Sequence, residues 1–250
     1  MSKQTILITG ASGGIGSALA RAHARPGATL LLWGRDAARL EETAESCRTR
    51  GAHCIVESFD LRDIGGQLTR IAAADAATPI DLAIFNAGLG GTPPDGAPAE
   101  TPEASRAVAE VNFVAPVTGA NAIAAAMAAR GRGHIVLIGS IAESFPLSMA
   151  PTYAATKAGL RMFAEALGIR LARHGVYVTL VSPGFIDTAM SRQVTEPKPF
   201  LMSADRAAAI ITHGIAAQAR TIVVPWQFAL IRALTNLLPR ALMRRVMSRV

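Results

Sequence analysis

Apolar residues along the chain gather into short runs that alternate with longer amphipathic stretches. The first run, TILIT (5–9), is β-branched and closed by a glycine, and residues 14–25 then read as a helix. ATLLLWG (28–34) reads as a buried strand, followed by a helix from Asp36 to about Arg50. The alternation continues with HCIVESFD (53–60) as strand, a helix through the 60s and 70s, and IDLAIFNAG (80–88) as strand. A Gly/Pro-rich loop, GLGGTPPDGAPAETP, leads into a long alanine-rich helix ending near Arg130. HIVLIGS (134–140) is then strand, 151–174 helix, VYVTLVSPG (176–184) strand, 203–219 helix and TIVVP (221–225) a last strand. Seven apolar strands separated by helices predict an α/β fold: a doubly wound parallel sheet with helices on both faces. No linker splits them, so one domain is expected over 1–225, with 226–250 as its extension. In open sheets of this kind ligands sit beyond the carboxyl ends of the strands, so that is where chemistry is expected.

Two strand ends carry unusual residues. TGASGGIG (9–16) leaves the first strand and enters the first helix. Gly10 permits a tight turn, Gly14 a close backbone approach to a pyrophosphate, and Gly16 close packing of helix on sheet. The helix-terminal amides would then point at phosphates. After the HIVLIGS strand, YAATK (153–157) sets Tyr153 and Lys157 four residues apart, in a chain with two tyrosines and three lysines. On a helix these share one face, and an ammonium that close favours the phenolate. A glycine turn without a ligand, or a chance pair, remains the plain reading of either signal alone.

Composition narrows the classes. Half the residues are hydrophobic and 17% are charged, which describes a folded body rather than a disordered one. The start, MSKQTILITG, has no long apolar segment, and no uninterrupted apolar run reaches the roughly 18 residues of a spanning helix. A cytoplasmic protein is expected, and Cys47 and Cys54 are then read as ordinary thiols in preference to a disulfide. The five histidines are scattered singly, so no metal site is assigned. The net charge of +7 divides unevenly. Arg232, Arg240, Arg244, Arg245 and Arg249 put +5 on the last 25 residues, leaving 20 basic and 18 acidic residues elsewhere. A nearly neutral body gives no reason to expect nucleic acid as a partner.

The glycine loop, NAG (86–88), Ser140 and YAATK, in this order, resemble the short-chain dehydrogenase/reductase family, as do FDL (59–61), VNF (111–113) and SPGFIDT (182–188). The resemblance runs from residue 5 to about 225. It implies a Rossmann-like domain, a nicotinamide cofactor and carbonyl/alcohol interconversion. By family position, Tyr153 is the acid/base, Lys157 lowers its pKa and binds the nicotinamide ribose, and Ser140 holds the substrate oxygen. Asn112 matches the asparagine that holds a water in a proton relay. Gly10, Ser12, Gly13, Gly14, Ile15 and Gly16 would cradle the cofactor phosphates. Asp60 and Leu61 would flank the adenine, and Asn86, Ala87 and Gly88 the adenosine ribose. After the Pro183–Gly184 turn, Ile186 and Thr188 would border the nicotinamide, Thr188 at its carboxamide.

The second strand ends in Trp33-Gly34-Arg35 rather than in the acid that usually binds the ribose of NAD. Gly34 leaves room and Arg35 offers a fork of donors suited to a 2′-phosphate, while Asp36 is placed to cap the next helix. NADP(H) is therefore favoured over NAD(H), although Gly13 stands where many NADP enzymes of the family carry a second basic residue. Phe145, Leu147, Met149, Phe185, Met190, Phe200, Leu201 and Met202 would make an apolar pocket for a hydrophobic small molecule. The intact Asn/Ser/Tyr/Lys set weighs against the alternative of a catalytically silent cofactor-sensing regulator or scaffold. The alanine-rich helices bearing Asn112 and Tyr153 allow close approach, and family members commonly pair them, so a homodimer or higher oligomer is expected. The tail has two readings. Phe228, Ile231, Leu234 and Leu238 fall at helical spacing, with Arg232 off that stripe, and Pro239 could start a second helix over 241–250. It is either a closing helix packed on the protein or a basic amphipathic element at an anionic membrane surface.

Overall fold

The computed structural model describes residues 3–91, 97–193 and 197–237. Seven strands form one parallel sheet: β1 (Gln4–Thr9), β2 (Ala28–Gly34), β3 (His53–Ser58), β4 (Leu82–Phe85), β5 (Gly133–Ile138), β6 (Val176–Pro183) and β9 (Thr221–Val224). Their order across the sheet is β3-β2-β1-β4-β5-β6-β9. The direction of winding reverses between β1 and β4, which are paired with Ile6 opposite Leu82 and Ile8 opposite Ile84. That reversal opens a crevice at the carboxyl ends of these strands.

The helices are α1 (Gly14–His23), α2 (Ala37–Arg48), α3 (Ile64–Ala77), α4 (Pro102–Ala109), α5 (Ala115–Arg130), α6 (Pro151–Leu171), α7 (Ala189–Arg192), α8 (Ala204–Ala216) and α9 (Gln227–Leu237). They cover the sheet on both faces because alternate strand residues point to opposite sides. Ile6, Ile8, Leu30 and Leu32 pack on one face with Leu19, Leu40 and Ile211. Leu7, Leu31, Ile135 and Leu137 pack on the other with Ile123, Met127, Leu160 and Leu167. Burial of this apolar surface is the main driving force for the fold. Side-chain caps fix where several helices start: Asp36 accepts the Arg39 amide at 3.1 Å and Asp63 accepts the Gly66 amide at 2.9 Å. Cys47 and Cys54 are free thiols, as expected, and both are buried, side by side.

Two features depart from the reading of the sequence. The long alanine-rich helix is interrupted: α4 and α5 are joined by a π turn, Glu110–Val114. Two short strands, β7 (Ile186–Asp187) and β8 (Met202–Ser203), pair with each other beyond the end of β6. Pro102–Arg130 is apolar and long enough by composition to cross a membrane, but half of its most apolar window is buried in this fold, as for a core helix.

Candidate active site

The glycine loop between β1 and α1 is built of backbone. Gly10 has φ +68° and Gly14 φ +55°, values that disfavour any side chain. A Cβ on Gly10 would lie 2.8 Å from the Ala87 Cα, and one on Gly16 would strike the Gly10 carbonyl and lie 2.5 Å from Asn86 Nδ2. Asn86 braces the loop from the end of β4, donating Nδ2 to the carbonyls of Thr9 (3.1 Å) and Gly10 (3.2 Å). Gly13 starts α1 without a side-chain cap, so the first amides of the helix face the loop unpaired by any capping group. Ile15 packs its side chain on the core. A concave backbone before an uncapped helix start fits a dinucleotide pyrophosphate. The Thr188 methyl lies 3.1 Å from the place of a Gly14 Cβ, so Thr188 overhangs the same loop.

At the end of β2, Gly34 makes room for Ser12, whose hydroxyl is 3.2 Å from where a Gly34 Cβ would be. Arg35 is exposed beside this gap, and Asp36 caps α2 as expected. Arg39 was missed by the sequence reading. Its guanidinium lies over Gly13, with Cζ 3.3 Å from the place of a Gly13 Cβ. It occupies the space that a basic residue in the loop would fill. Its place in the first turn of the helix capped by Asp36, next to the end of β2, was the available signal. Asp60 Oδ2 accepts from both Nε (2.9 Å) and Nη2 (2.6 Å) of Arg62, which holds its carboxyl below the usual range. Leu61 is buried next to Ala87.

The carboxyl end of β5 and the start of α6 bring the other chemical groups together. The Ser140 side chain faces the Tyr153 phenol and favours its ionised form, and Lys157 Nζ lies 5.7 Å from the Tyr153 ring centre. Lys157 is buried and donates to the Ile138 carbonyl at 2.9 Å. Its Nζ is 3.8 Å, and Asn112 Oδ1 3.4 Å, from the place of a Gly88 Cβ, so Asn112, Lys157 and the NAG turn meet at one point. Asn112 sits in the π turn, fully buried. Its side chain accepts from the Leu89 amide (2.7 Å) and donates to the Leu89 carbonyl (2.9 Å), so it pins the turn after β4.

Burial dominates the electrostatics of the Tyr153–Lys157 pair. Burial raises the Tyr153 pKa above its ordinary value, and the nearby Glu143 carboxylate adds to the rise, against the opposing hydrogen bond of Ser140. Burial also lowers the Lys157 pKa to about 8, opposed by Glu143. Desolvation disfavours whichever form is charged, and both groups are shifted toward neutrality.

Pro183, the last residue of β6, is buried, and a Cβ on Gly184 would lie 2.5 Å from Cδ2 of Phe228 on α9. Phe228 packs edge-on to Phe185 (6.3 Å between centres) and Phe200 (5.7 Å). Ile186 places its side chain in the core and leaves its backbone to border a cofactor. Met190 covers Gly90, while Phe200 and Leu201 are about half exposed. The apolar stripe expected on the tail helix is divided. Phe228 is buried, Leu234 is 65% exposed, and Arg232, expected off the stripe, turns inward to the buried Glu143 at 3.1 Å. A buried carboxylate needs a cation more than the core needs another leucine. The arginine-rich segment 241–250, with Leu238 and Pro239, lies outside the described residues.

The model of the short chain dehydrogenase family matches residues 4–199. An uncharacterised oxidoreductase of Myxococcus xanthus is 33% identical over 243 residues, covering 97% of this chain and 95% of that protein. A short-chain dehydrogenase from Sphingobium yanoikuyae, solved in complex with NADPH, superposes with a TM-score of 0.82 at 27% identity, over 95% of this chain and 97% of its own. The bulky-bulky ketone specific alcohol dehydrogenase of Comamonas testosteroni does so with a TM-score of 0.78 at 28% identity, over 95% and 96%. With the glycine loop at the β1–β4 crevice and a Tyr–Lys pair at the end of β5, the protein is an oxidoreductase that belongs to the short-chain dehydrogenase/reductase family.

Proposed function

We propose that this protein reduces a ketone or aldehyde on a hydrophobic small molecule, with NADPH as donor and Tyr153 as the proton donor. The observation that carries this reading is the meeting of Ser140, Tyr153 and Lys157 beside the glycine loop. Bound NADPH supplies the hydride. The chain supplies the rest. Ser140 donates a hydrogen bond to the carbonyl oxygen as negative charge grows there. The Tyr153 phenol gives that oxygen its proton, and the alcohol leaves. A phenol is protonated at neutral pH, as a proton donor must be. Lys157 holds the nicotinamide ribose and offsets the phenolate left behind. A π turn lacks one α-type backbone bond, and a water on the freed carbonyl beside Asn112 would return the proton toward Lys157.

Arg35 and Arg39 support NADPH over NADH, since the Arg39 guanidinium lies over Gly13 and Arg35 is exposed at the end of β2, on the side where a 2′-phosphate would lie. Met190, Phe185, Phe200 and Leu201 border the opening and fit an apolar substrate, in keeping with the bulky-ketone enzyme it resembles. The reading is tested by a panel of hydrophobic ketones and aldehydes with NADPH and NADH, followed by loss of nicotinamide absorbance. NADPH-dependent turnover supports it, and inertness toward the whole panel with tight NADPH binding would favour a cofactor sensor.

A further inference from the structure

We propose that Glu143 is a positioning residue of this active site: its buried carboxylate ties the Ser140 turn to β6 and to α9, making the C-terminal helix a working part of the catalytic assembly. This rests on the roles given above to Ser140 and Tyr153.

Glu143 lies in the single 3₁₀ turn Ile141–Ser144 that follows β5, and its side chain is wholly buried. A carboxylate there is costly unless its oxygens are satisfied. Three elements satisfy them. Oε1 accepts from the Ser182 hydroxyl at 2.8 Å, at the carboxyl end of β6, and from Arg232 Nη1 at 3.1 Å, on α9. Oε2 accepts from the Ser140 amide at 3.5 Å, while the Ser140 hydroxyl accepts from the Ala142 amide at 3.2 Å. The two residues thus hold each other in a reciprocal cap. Oε2 also lies 2.7 Å from the place of a Gly139 Cβ, so glycine at 139 is what lets the carboxylate sit against the strand end.

The consequence is mechanical and electrostatic. Ser140 faces the phenol, and the backbone that aims it is fixed by Glu143. Glu143 in turn is held by a residue 89 positions later, Arg232. The helix that closes over Gly184 through Phe228 is therefore anchored to the turn that carries Ser140. The charged and titratable groups facing Glu143 are Arg232 from α9 and Arg161, Tyr153 and Lys157 from α6, with Ser182 from β6 and the Ser140 amide as its neutral partners. Its negative charge favours the protonated forms of both Tyr153 and Lys157, the forms a reductase needs before the hydride moves.

A purely structural ion pair would leave the acidity of Tyr153 alone, and this can be read without substrate or cofactor. The chain has only two tyrosines, Tyr153 and Tyr177. The difference between the phenolate absorbance titrations of the wild type and Tyr153→Phe isolates Tyr153. Repeating the pair in a Glu143→Gln background, which keeps the shape and removes the charge, should move the Tyr153 titration to lower pH. An unmoved titration overturns the electrostatic part. For the mechanical part, Arg232→Met should lower kcat for reduction of an aromatic ketone by about tenfold or more. NADPH affinity should stay within about twofold and Arg232→Lys should recover most of the loss. Wild-type kcat in Arg232→Met, or a loss matched by NADPH affinity and folding, overturns it. The Tyr153→Phe protein separates the two levels. If it stays active, the proton-donor reading has failed. If it is inactive while Glu143→Gln and Arg232→Met behave as wild type, only the role of Glu143 has.

Discussion

Arg39 lies over the glycine loop from the first turn of α2, and Arg35 stands exposed at the end of β2. Among the described residues neither is held by a carboxylate in an ion pair of the kind that fixes Arg48 to Glu41 and Glu45, so both guanidinium forks can turn to a phosphate. Each charged hydrogen bond to a 2′-phosphate is worth about 1.5–3 kcal/mol. Arg35→Ala and Arg39→Ala should each weaken NADPH binding by about tenfold or more and leave NADH binding within about twofold, measured by fluorescence titration. Equal losses for both cofactors would remove these residues from the 2′-phosphate site. Gly13→Arg offers a further check, because the added side chain would occupy the space Arg39 now fills. In the Arg39→Ala background it should restore NADPH preference, and in the wild type it should add little.

Elements place these residues, and one glycine joins two of them. Gly184 follows β6, and Phe228 of α9 packs against it so closely that a methyl group at 184 has no room. Gly184→Ala should therefore destabilise the protein by about 1–3 kcal/mol through overpacking, seen as a lower denaturant midpoint. It should also lower kcat, because displacing Phe228 displaces the helix that carries Arg232. An unchanged midpoint would show that α9 is not packed as described. The strands and most helices were legible because their residues repeat a simple pattern: the β2 span 28–34 read from ATLLLWG is the observed one. The glycine loop, Ser140 and the Tyr153–Lys157 pair were legible through fixed spacing at strand ends. The π turn was not, because Glu110–Val114 reads as ordinary helix and its widening is set by tertiary packing around Asn112. Nor were Glu143 and Arg232, which are 89 residues apart and look like surface charges until the fold buries one against the other.

At the scale of the whole molecule, burial changes how the fold responds to acid. His23 and His134 are held neutral, each with a pKa lowered from 6.5 to about 4, by burial and, for His23, also by the nearby Arg25 charge. The unfolded chain binds protons at these sites below about pH 6.5, whereas the folded chain does so only near pH 4. Stability from both is thus fully present above pH 6.5 and is lost as pH falls toward 4, by at most about 3 kcal/mol apiece. Denaturant midpoints should fall across that window, and His134→Gln should flatten the slope by about one proton; an unaltered slope would contradict the burial argument. Val114, Met162 and Ile169 expose apolar surface on and beside α5 and α6. Self-association through these helices is the expected use, with a sedimentation mass at least twice 26.0 kDa. A mass near 26.0 kDa at micromolar concentration would argue against it.

The most direct test of the account is the kcat of Tyr153→Phe for an NADPH-dependent ketone reduction, measured beside the Kd for NADPH. The phenol is the only group assigned to give the substrate its proton. Its loss should cut kcat by at least about a hundredfold, or about 2.7 kcal/mol, while NADPH binds as before. Retention of more than about a tenth of the wild-type kcat, a loss under about 1.4 kcal/mol, would contradict the assignment of Tyr153 as the acid.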